Sequence, residues 1–274
     1  MGTSRINEPI ANWQDGDAVQ GFALLSRREL RQDKNGREYL DLELRDASSA
    51  IPGKVWSDNQ GAMETTPEVH HFVKLKGTVR LFRNHNQLQL TVERCREAHD
   101  GDRHSGFDEA ALIPTTRENI DELWERLHRI FRERIARPVL RRLAEETLAT
   151  HVELREHPAA KAIHHAYRGG LLEHVTSMAV MANRVCDHYP ELDRDLVLTG
   201  VLFHDLGKLI ELGAMPANDY TLAGRLVGHV VIGRDLLRAR CAAIENFPAE
   251  LQLHLEHLVL SHQGLKDYGS TGEP

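Results

Sequence analysis

The sequence predicts a chain of two domains, an all-β barrel followed by an all-α domain. Apolar residues alternate at every second position from about Val19 to Ala98 and recur at helical spacing in the second half of the chain. A polar stretch containing Gly and Asp separates the two regions. A length of 274 residues is sufficient for two modest cores. We therefore expect an N-terminal extension over 1–17, a barrel over 18–98, a linker over 99–116 and a helical domain over 117–274.

Charge and cysteine content narrow the class of protein. A net charge of −7 argues against binding nucleic acid through bulk charge, so any such contact must depend on a local basic patch. Three scattered cysteines predict no disulfide framework and suit a reducing compartment. The sequence shows no signal peptide and no apolar stretch near 18 residues. We therefore expect a cytoplasmic protein without membrane contact. The sequence is compatible with a homo-oligomer.

The barrel is predicted from about five short strands. Alternation is clearest over 39–45, 72–82 and 88–92, and a further strand is expected around 53–56. Asp33-Lys34-Asn35-Gly36 and Asn84-His85-Asn86 are typical of hairpin turns. Five strands in about eighty residues favour a closed Greek-key barrel of the OB type, because closure removes exposed sheet edges.

One face of the 72–82 strand combines rings and cations. Such a face is typical of a single-strand nucleic-acid surface, because cations follow phosphates and rings stack on bases. An ordinary solvated barrel face is the alternative, and Trp56 is predicted either to stack on a base or to lie in the core. The candidate strand-binding residues are Phe72, Lys74, Lys76, Arg80, Phe82 and Trp56.

The second half of the chain is predicted to be helical throughout. Pro138 is expected to begin one helix, because proline is favoured in the first helical turn. Met178 and Met181 are expected in the core. Further helices are predicted over 171–185, 196–209, 226–244 and 249–261.

Histidines and one aspartate interrupt these apolar helices at four places. His204 and Asp205 are adjacent, and imidazole and carboxylate are the ligands of Zn, Mn, Fe and Co sites. A carboxylate can bridge two ions, so Asp205 is the expected bridge. Lys208 follows where its ammonium could meet a phosphate oxygen, and Gly207 leaves room for the close approach of a backbone or a ligand. The candidate metal ligands are His174, His204, Asp205, His229 and His262.

A basic segment precedes the first of these histidines. We interpret it as a loop that brings cationic and polar side chains next to His174 to receive an anionic substrate. A helix that only packs against the metal helices is the alternative. The candidate substrate-binding residues in this segment are Lys161, His164, His165, Tyr167 and Arg168.

These motifs resemble those of a known family. The order His, His-Asp, His, His is similar to the two-metal branch of the HD-domain phosphohydrolase superfamily. With the OB-like barrel and the stretches 158–174, 204–212, 228–233 and 260–264, the chain from Val19 onward resembles the YhaM family of bacterial 3′-to-5′ exoribonucleases. The resemblance implies a single-strand-binding OB domain, an HD domain, two divalent ions, and release of nucleoside 5′-monophosphates from RNA or single-stranded DNA. Mn²⁺ is implied, with Co²⁺, Fe²⁺, Mg²⁺ or Zn²⁺ as alternatives.

The resemblance also implies roles for the site residues. His174, His204 and Asp205 would hold the first ion, and Asp205, His229 and His262 the second. Lys208 would offset charge on the phosphate, with His204, Asp205 and Lys208 as the catalytic group. The family adds a last aspartate after the Ser-His-Gly motif, and Asp267 lies too near His262 to be a confident substitute. Either the sequence continues beyond Pro274 or the first site differs from the family pattern.

Two further hypotheses compete with an exonuclease. An HD phosphohydrolase of a free nucleotide or cyclic dinucleotide would not need a strand-binding barrel. A nucleic-acid-binding protein with a weakened HD domain would bind strands without shortening them. Activity on mononucleotides alone would favour the first alternative, and binding without cleavage the second.

Overall fold

A computed structural model describes residues 3–56, 58, 67–82, 86–161 and 165–264. The chain divides into two compact units, Met1–Pro114 and Thr115–Pro274. The first unit is a sheet that closes into a barrel, and the second is helical, so the predicted fold class is confirmed. Within the described residues, no helix combines the length and apolarity that a membrane span requires.

Six strands are described in the first unit. The sheet order is β1-β2-β3-β4-β6-β5, and β2 also pairs with β5, which closes the barrel. The long β2 makes this possible, because residues 18–24 pair with β5 and residues 24–32 pair with β3. This is the connectivity of an OB barrel. The strands are β1 (Ser4–Ile6), β2 (Ala18–Gln32), β3 (Glu38–Arg45), β4 (Ala50–Trp56), β5 (Phe72–Phe82) and β6 (Gln87–Glu97).

The alternation predicted for β5 is present in the structure. Val73, Leu75 and Val79 are buried in the barrel, while Lys76 and Arg80 on the opposite face are exposed. This is the period of two expected for a strand with one face in a core. The turn predicted at Asn84-His85-Asn86 lies partly outside the described residues.

The N-terminal extension is part of the barrel. β1 pairs in parallel with the start of β2, and Ile10 and Trp13 are buried in the barrel core. Asp17 fastens this segment, because its carboxylate accepts from the Thr3 and Gln14 amides, each at 3.0 Å. The sequence offered no alternation long enough to predict a three-residue strand.

The segment predicted as a linker also folds against the barrel. It forms a 3-10 helix over Asp100–Ser105 and the short helix α1 (Glu109–Leu112). The buried Asp102 carboxylate accepts two hydrogen bonds of 2.7 Å from Arg96 and one of 3.0 Å from Lys74. Phe107 packs on the ring of Phe72 at 5.6 Å between centroids. The barrel unit therefore extends beyond the strands.

The helical unit is built around one apolar core. Phe131, Phe203 and Leu127 are fully buried in it, with Leu171 and Leu255. Its helices are α2 (Ile120–Arg134), α3 (Pro138–Thr150), α4 (Gly170–His188), α5 (Arg194–Phe203), α6 (Lys208–Glu211), α7 (Leu222–Leu226), α8 (His229–Ala242) and α9 (Ala249–Ser261).

Three helix predictions need correction. The helix predicted over 196–209 ends at Phe203, and a turn separates it from α6. The helix predicted over 226–244 begins at His229, because Gly228 takes a positive φ of 81° that a helix does not allow. Met178 and Met181 are exposed, at 40% and 59%, because α4 turns that side to solvent.

Candidate metal centre and strand-binding surface

The turn between α5 and α6 supplies the centre of the site. His204 caps the end of α5, and Asp205 follows it directly. His174 lies on α4, His229 opens α8, and His262 follows the last residue of α9. Four helices therefore bring the five predicted ligands into one cluster.

Two groups of donor atoms share the Asp205 carboxylate. His174 Nε2 and His204 Nε2 are 3.1 Å apart, and each lies 3.3 Å from Asp205 Oδ2. On the other side, His229 Nε2 and His262 Nε2 lie 3.6 and 3.9 Å from Asp205 Oδ1. Within each group the donor atoms are within 4.8 Å of one another. Each group could hold one ion, and Asp205 could give one oxygen to each.

Hydrogen bonds fix the tautomers of three histidines. The Nδ1 atoms of His204 and His262 lie 2.8 and 2.6 Å from the carbonyl oxygens of Val201 and Val259. His229 Nδ1 lies 3.0 Å from the Glu211 carboxylate. Carbonyl and carboxylate oxygens only accept, so Nδ1 must carry the proton in each ring. The lone pair is then on Nε2, which faces Asp205. This arrangement fits a divalent cation.

Electrostatics keep the donors in the forms that bind metals. Burial raises the pKa of Asp205, but its neighbours His174 and His204 and the charge of Lys208 outweigh it and hold the pKa well below its usual range. Burial lowers the pKa of His262, which favours the neutral imidazole, and only part of that shift is offset by the bond to Val259. Asp205 is therefore a carboxylate and His262 a neutral candidate ligand near pH 7.

Glu211 is a site residue that the sequence analysis missed. Its Oε1 accepts from both the backbone amide and Nδ1 of His229, each at 3.0 Å. Burial raises the pKa of Glu211, but these bonds to His229 bring it below its usual value, so the residue stays ionised. A carboxylate behind a histidine orients the ring and increases its basicity. Only its position in the apolar Leu-Ile-Glu-Leu run could have indicated burial.

Lys208 and Gly207 complete the centre. The Lys208 ammonium donates to Asp205 Oδ2 at 2.9 Å, the oxygen that also faces His174 and His204. Gly207 lies against the first turn of α8, where an added Cβ would be 2.0 Å from the carbonyl oxygen of His229. The predicted close approach at Gly207 is confirmed, and the approaching group is the backbone of a candidate ligand.

The basic segment before α4 is a loop in its described part. His165 packs on the ring of His174 at 5.6 Å, and Tyr167 bonds to His165 Nδ1 at 2.9 Å. Burial and a hydrogen bond to Glu173 raise the pKa of Tyr167 to about 12, so its hydroxyl keeps its proton and donates it to Glu173. The Tyr167 oxygen is then an acceptor for His165.

The other members of the loop are arranged differently. Lys161 Nζ lies 2.8 Å from the Asp219 carboxylate, and Arg168 lies 2.6 Å from the Glu156 carboxylate. Ion pairs therefore partly neutralise both cations, and contact of this segment with an anionic substrate stays a prediction. His164 lies outside the described residues, as does Asp267.

On the barrel, three rings surround one lysine. Lys54 Nζ lies 4.8 Å from the ring centre of Tyr39, 5.4 Å from that of Trp56 and 5.8 Å from that of Phe82. Tyr39 and Trp56 pack with centroids 5.1 Å apart. Trp56 is 37% exposed and Phe82 is 44% exposed, so their ring surfaces are accessible. We call Tyr39, Lys54, Trp56 and Phe82 the aromatic platform.

The predicted strand-binding residues separate into two groups. Trp56 and Phe82 belong to the aromatic platform, and Arg80 is exposed on the same face of β5 as Phe82. Phe72 and Lys74, at the other end of β5, contact Phe107 and Asp102 inside the unit. Lys76 is exposed and 3.9 Å from Glu93. Tyr39 was missed, because a tyrosine within an alternating strand does not show which neighbours it meets.

Comparison with known proteins places the chain in a family. The HD domain family model matches residues 171–273, and a family described as a putative helicase matches 106–190. The 3′-5′ exoribonuclease YhaM of Bacillus velezensis is 35% identical over 259 residues, which cover 94% of this chain and 80% of that protein. The protein of the same name from Listeria monocytogenes is 32% identical over 272 residues, 98% of this chain and 84% of its own length.

A solved structure is similar to part of the chain. The second OB-fold domain of replication protein A from Methanococcus maripaludis is 15% identical, covers 35% of this chain and 97% of its own, and has a TM-score of 0.28. A likeness of this size carries no argument about function. The sequence relatives do, because they match almost the whole chain at more than 30% identity. The chain therefore belongs to the YhaM family of 3′-5′ exoribonucleases, enzymes with an HD domain.

Proposed function

We propose that this protein is a metal-dependent 3′-to-5′ exonuclease that hydrolyses single-stranded RNA to nucleoside 5′-monophosphates with two divalent ions. The observation that carries the proposal is the shared Asp205 carboxylate, whose two oxygens face two separate sets of imidazole nitrogens. The names of the YhaM relatives support the direction and the substrate. Single-stranded DNA is a second substrate to be tested.

The reaction is a hydrolysis of the terminal phosphodiester bond. Oxygen from water bonds to the phosphorus, the bond from phosphorus to the 3′ oxygen breaks, and a proton returns to that 3′ oxygen. Two divalent ions, when bound, supply a water of lowered pKa and offset charge on the phosphate. Mn²⁺ is the proposed ion because the family resemblance implies it, and the mixed imidazole and carboxylate donors of both groups are compatible with it as they are with Zn²⁺, Fe²⁺ and Co²⁺.

The residues of this chain orient the metal-donor atoms and place positive charge near the phosphate of the bound strand. Val201, Val259 and Glu211 keep the imidazole protons on Nδ1, so the Nε2 lone pairs face the centre. Lys208 lies beside Asp205 and could donate to a phosphate oxygen of the bound strand. His165, held by Tyr167 next to His174, is in position to contact the same substrate.

The aromatic platform is the proposed single-strand contact of the barrel. Exposed rings stack on bases without sequence preference, and Lys54 and Arg80 add positive charge for phosphates. Phe72 and Lys74 are not included, because their contacts with Phe107 and Asp102 hold them within the unit. This division of labour lets the barrel hold the strand while the HD domain removes its 3′ nucleotide.

A time course with RNA labelled at its 5′ end tests the proposed function. With Mn²⁺ we expect a ladder that shortens by one nucleotide at a time and releases nucleoside 5′-monophosphates. A chelator should stop the ladder, because the donors alone supply no activated water, and added Mn²⁺ should restart it. Gel electrophoresis and mass spectrometry of the products are the measurements.

Two outcomes would contradict this proposal. RNA that is retained in a gel-shift assay but never shortens would indicate a binding protein. Hydrolysis of free nucleotides or cyclic dinucleotides, with oligomers left intact, would indicate a phosphohydrolase of small substrates. A parallel series with single-stranded DNA decides whether both nucleic acids are substrates.

Truncating the platform should weaken binding of the strand. We expect Trp56→Ala and Phe82→Ala each to raise the Kd for a single-stranded RNA by about tenfold, because one stacked base is worth about 1–3 kcal/mol. Fluorescence anisotropy in an Asp205→Asn background measures binding without cleavage. Ile6→Ala is the matched control, because Ile6 is an exposed apolar residue of β1. Equal Kd values for all three variants would remove the platform from the proposed interface.

A further inference from the structure

The amide of Gln263 lies at the second group of donor atoms. Its terminal nitrogen is 3.0 Å from His229 Nε2 and 3.0 Å from His262 Nε2. Gln263 follows His262 directly and is partly buried. No other described glutamine or asparagine side chain is hydrogen-bonded to a candidate metal ligand of this centre.

The tautomers of His229 and His262 determine whether Gln263 must donate or accept a hydrogen bond. His229 and His262 carry their protons on Nδ1, so both Nε2 atoms present lone pairs to Gln263. In the absence of a cation, two lone pairs require donors, and the amide NH₂ supplies two. Once a cation takes these lone pairs, the NH₂ group would face positive charge. Rotation about the last side-chain bond then exchanges nitrogen for the carbonyl oxygen, which is a ligand for hard divalent ions.

The distances from the Gln263 amide to the two imidazole nitrogens match those between ligands of one ion, whereas Asp205 Oδ1 lies 3.6 and 3.9 Å from the same nitrogens. Bonds of about 2.1 Å place adjacent ligand atoms about 3.0 Å apart at right angles and about 3.4 Å apart in a tetrahedron. The first group shows separations of 3.1 and 3.3 Å among its donors. The end of the Gln263 amide is 3.0 Å from both histidine nitrogens of the second group. It therefore lies where an additional ligand would lie.

We propose that Gln263 is a further protein ligand of the second ion and binds it through its amide oxygen. This inference rests on the proposed two-ion function and extends it. The second ion would then be bound by two imidazoles, one Asp205 oxygen and the Gln263 amide oxygen. The first ion would be bound by two imidazoles and one Asp205 oxygen. Carbonyl oxygen suits Mg²⁺ and Mn²⁺ better than it suits Zn²⁺. Gln263 would thus shift the second position toward harder ions.

Metal titration of the full-length protein tests this role without measuring activity. After removal of metals with a chelator and dialysis, Mn²⁺ is titrated calorimetrically into wild type, Gln263→Leu and Gln263→Glu. We expect two ions in wild type. In Gln263→Leu, one ion should bind as before and the other at least about tenfold more weakly. Gln263→Glu keeps an oxygen and adds charge, so its second ion should bind at least as tightly as in wild type.

The controls separate this inference from the proposed function. Gln32→Leu makes the same substitution at an exposed position of β2 and should bind two ions as wild type does. If Gln263→Leu binds both ions with unchanged or higher affinity, Gln263 is not a ligand, although the two-ion proposal stands. If wild type itself binds fewer than two ions, the two-ion mechanism fails first. Thermal unfolding without metal shows whether Gln263→Leu is folded, and Gln263→Glu decides the question if it is not.

Discussion

The Asp205→Asn variant should shorten RNA about 10²–10³-fold more slowly than wild type. Asparagine keeps the shape of the side chain but removes its charge and replaces one acceptor with a donor. That donor would face either the imidazoles of His174 and His204 or those of His229 and His262. One of the two ions would lose its only carboxylate ligand among the described groups, and loss of a single charge-stabilising group costs about 10²–10³ in rate.

Single-turnover cleavage and metal content should be measured together for this variant. We expect the number of bound Mn²⁺ ions to fall below two along with the rate. Asp235→Asn is the matched control, because Asp235 is an exposed carboxylate of α8 paired with Arg234. An Asp205→Asn protein that kept two ions and a normal ladder would contradict the bridging role of the carboxylate.

The Gly207→Ala variant should affect both stability and catalysis. The added Cβ would meet three backbone atoms of α8, at 2.0 Å from the His229 oxygen, 2.8 Å from its carbonyl carbon and 2.7 Å from the Gly233 nitrogen. Backbone atoms cannot rotate away as a side chain can, so α6 and α8 must separate. We expect a loss of about 3 kcal/mol in the free energy of unfolding of the helical unit. A 1 Å displacement of His229 would lower the rate by about 10²-fold.

Chemical denaturation of the full chain, followed by far-UV circular dichroism, measures the first effect, and the RNA ladder measures the second. Gly213→Ala is the control, because its Cβ would have no neighbour nearer than 3.5 Å. Gly207 has an ordinary helical φ of −60°, so backbone strain in the glycine itself does not explain a loss. Wild-type stability and rate in Gly207→Ala would show that the two helices can move apart without consequence.

The parts of the fold that could be predicted are those with local causes. Alternation along β5 depends on one face meeting a core, and the start of α3 follows from Pro138. The parts that could not be predicted depend on distant partners. β1 exists because it pairs with β2, and the 99–112 segment is ordered because Asp102 neutralises Arg96.

The same distinction applies to the site. The five candidate ligands could be found from sequence because histidine and aspartate are unusual among apolar helical residues. Glu211 and the proposed role of Gln263 could not, because both depend on contact with His229, 18 and 34 positions away. Met178 and Met181 show the opposite error, because they were predicted in the core and are exposed. A helical pattern does not specify which faces of the helix are covered.

The protons on three Nδ1 atoms are set by groups of the protein itself. Two of the acceptors are backbone carbonyls three residues earlier in the chain, at Val201 and Val259, and they are present whenever the helix ends are formed. The site is thus preorganised by folding, whereas in a zinc finger the metal drives folding. The donor atoms of such a centre would keep their places when an ion leaves, because the helix ends rather than the ion hold them.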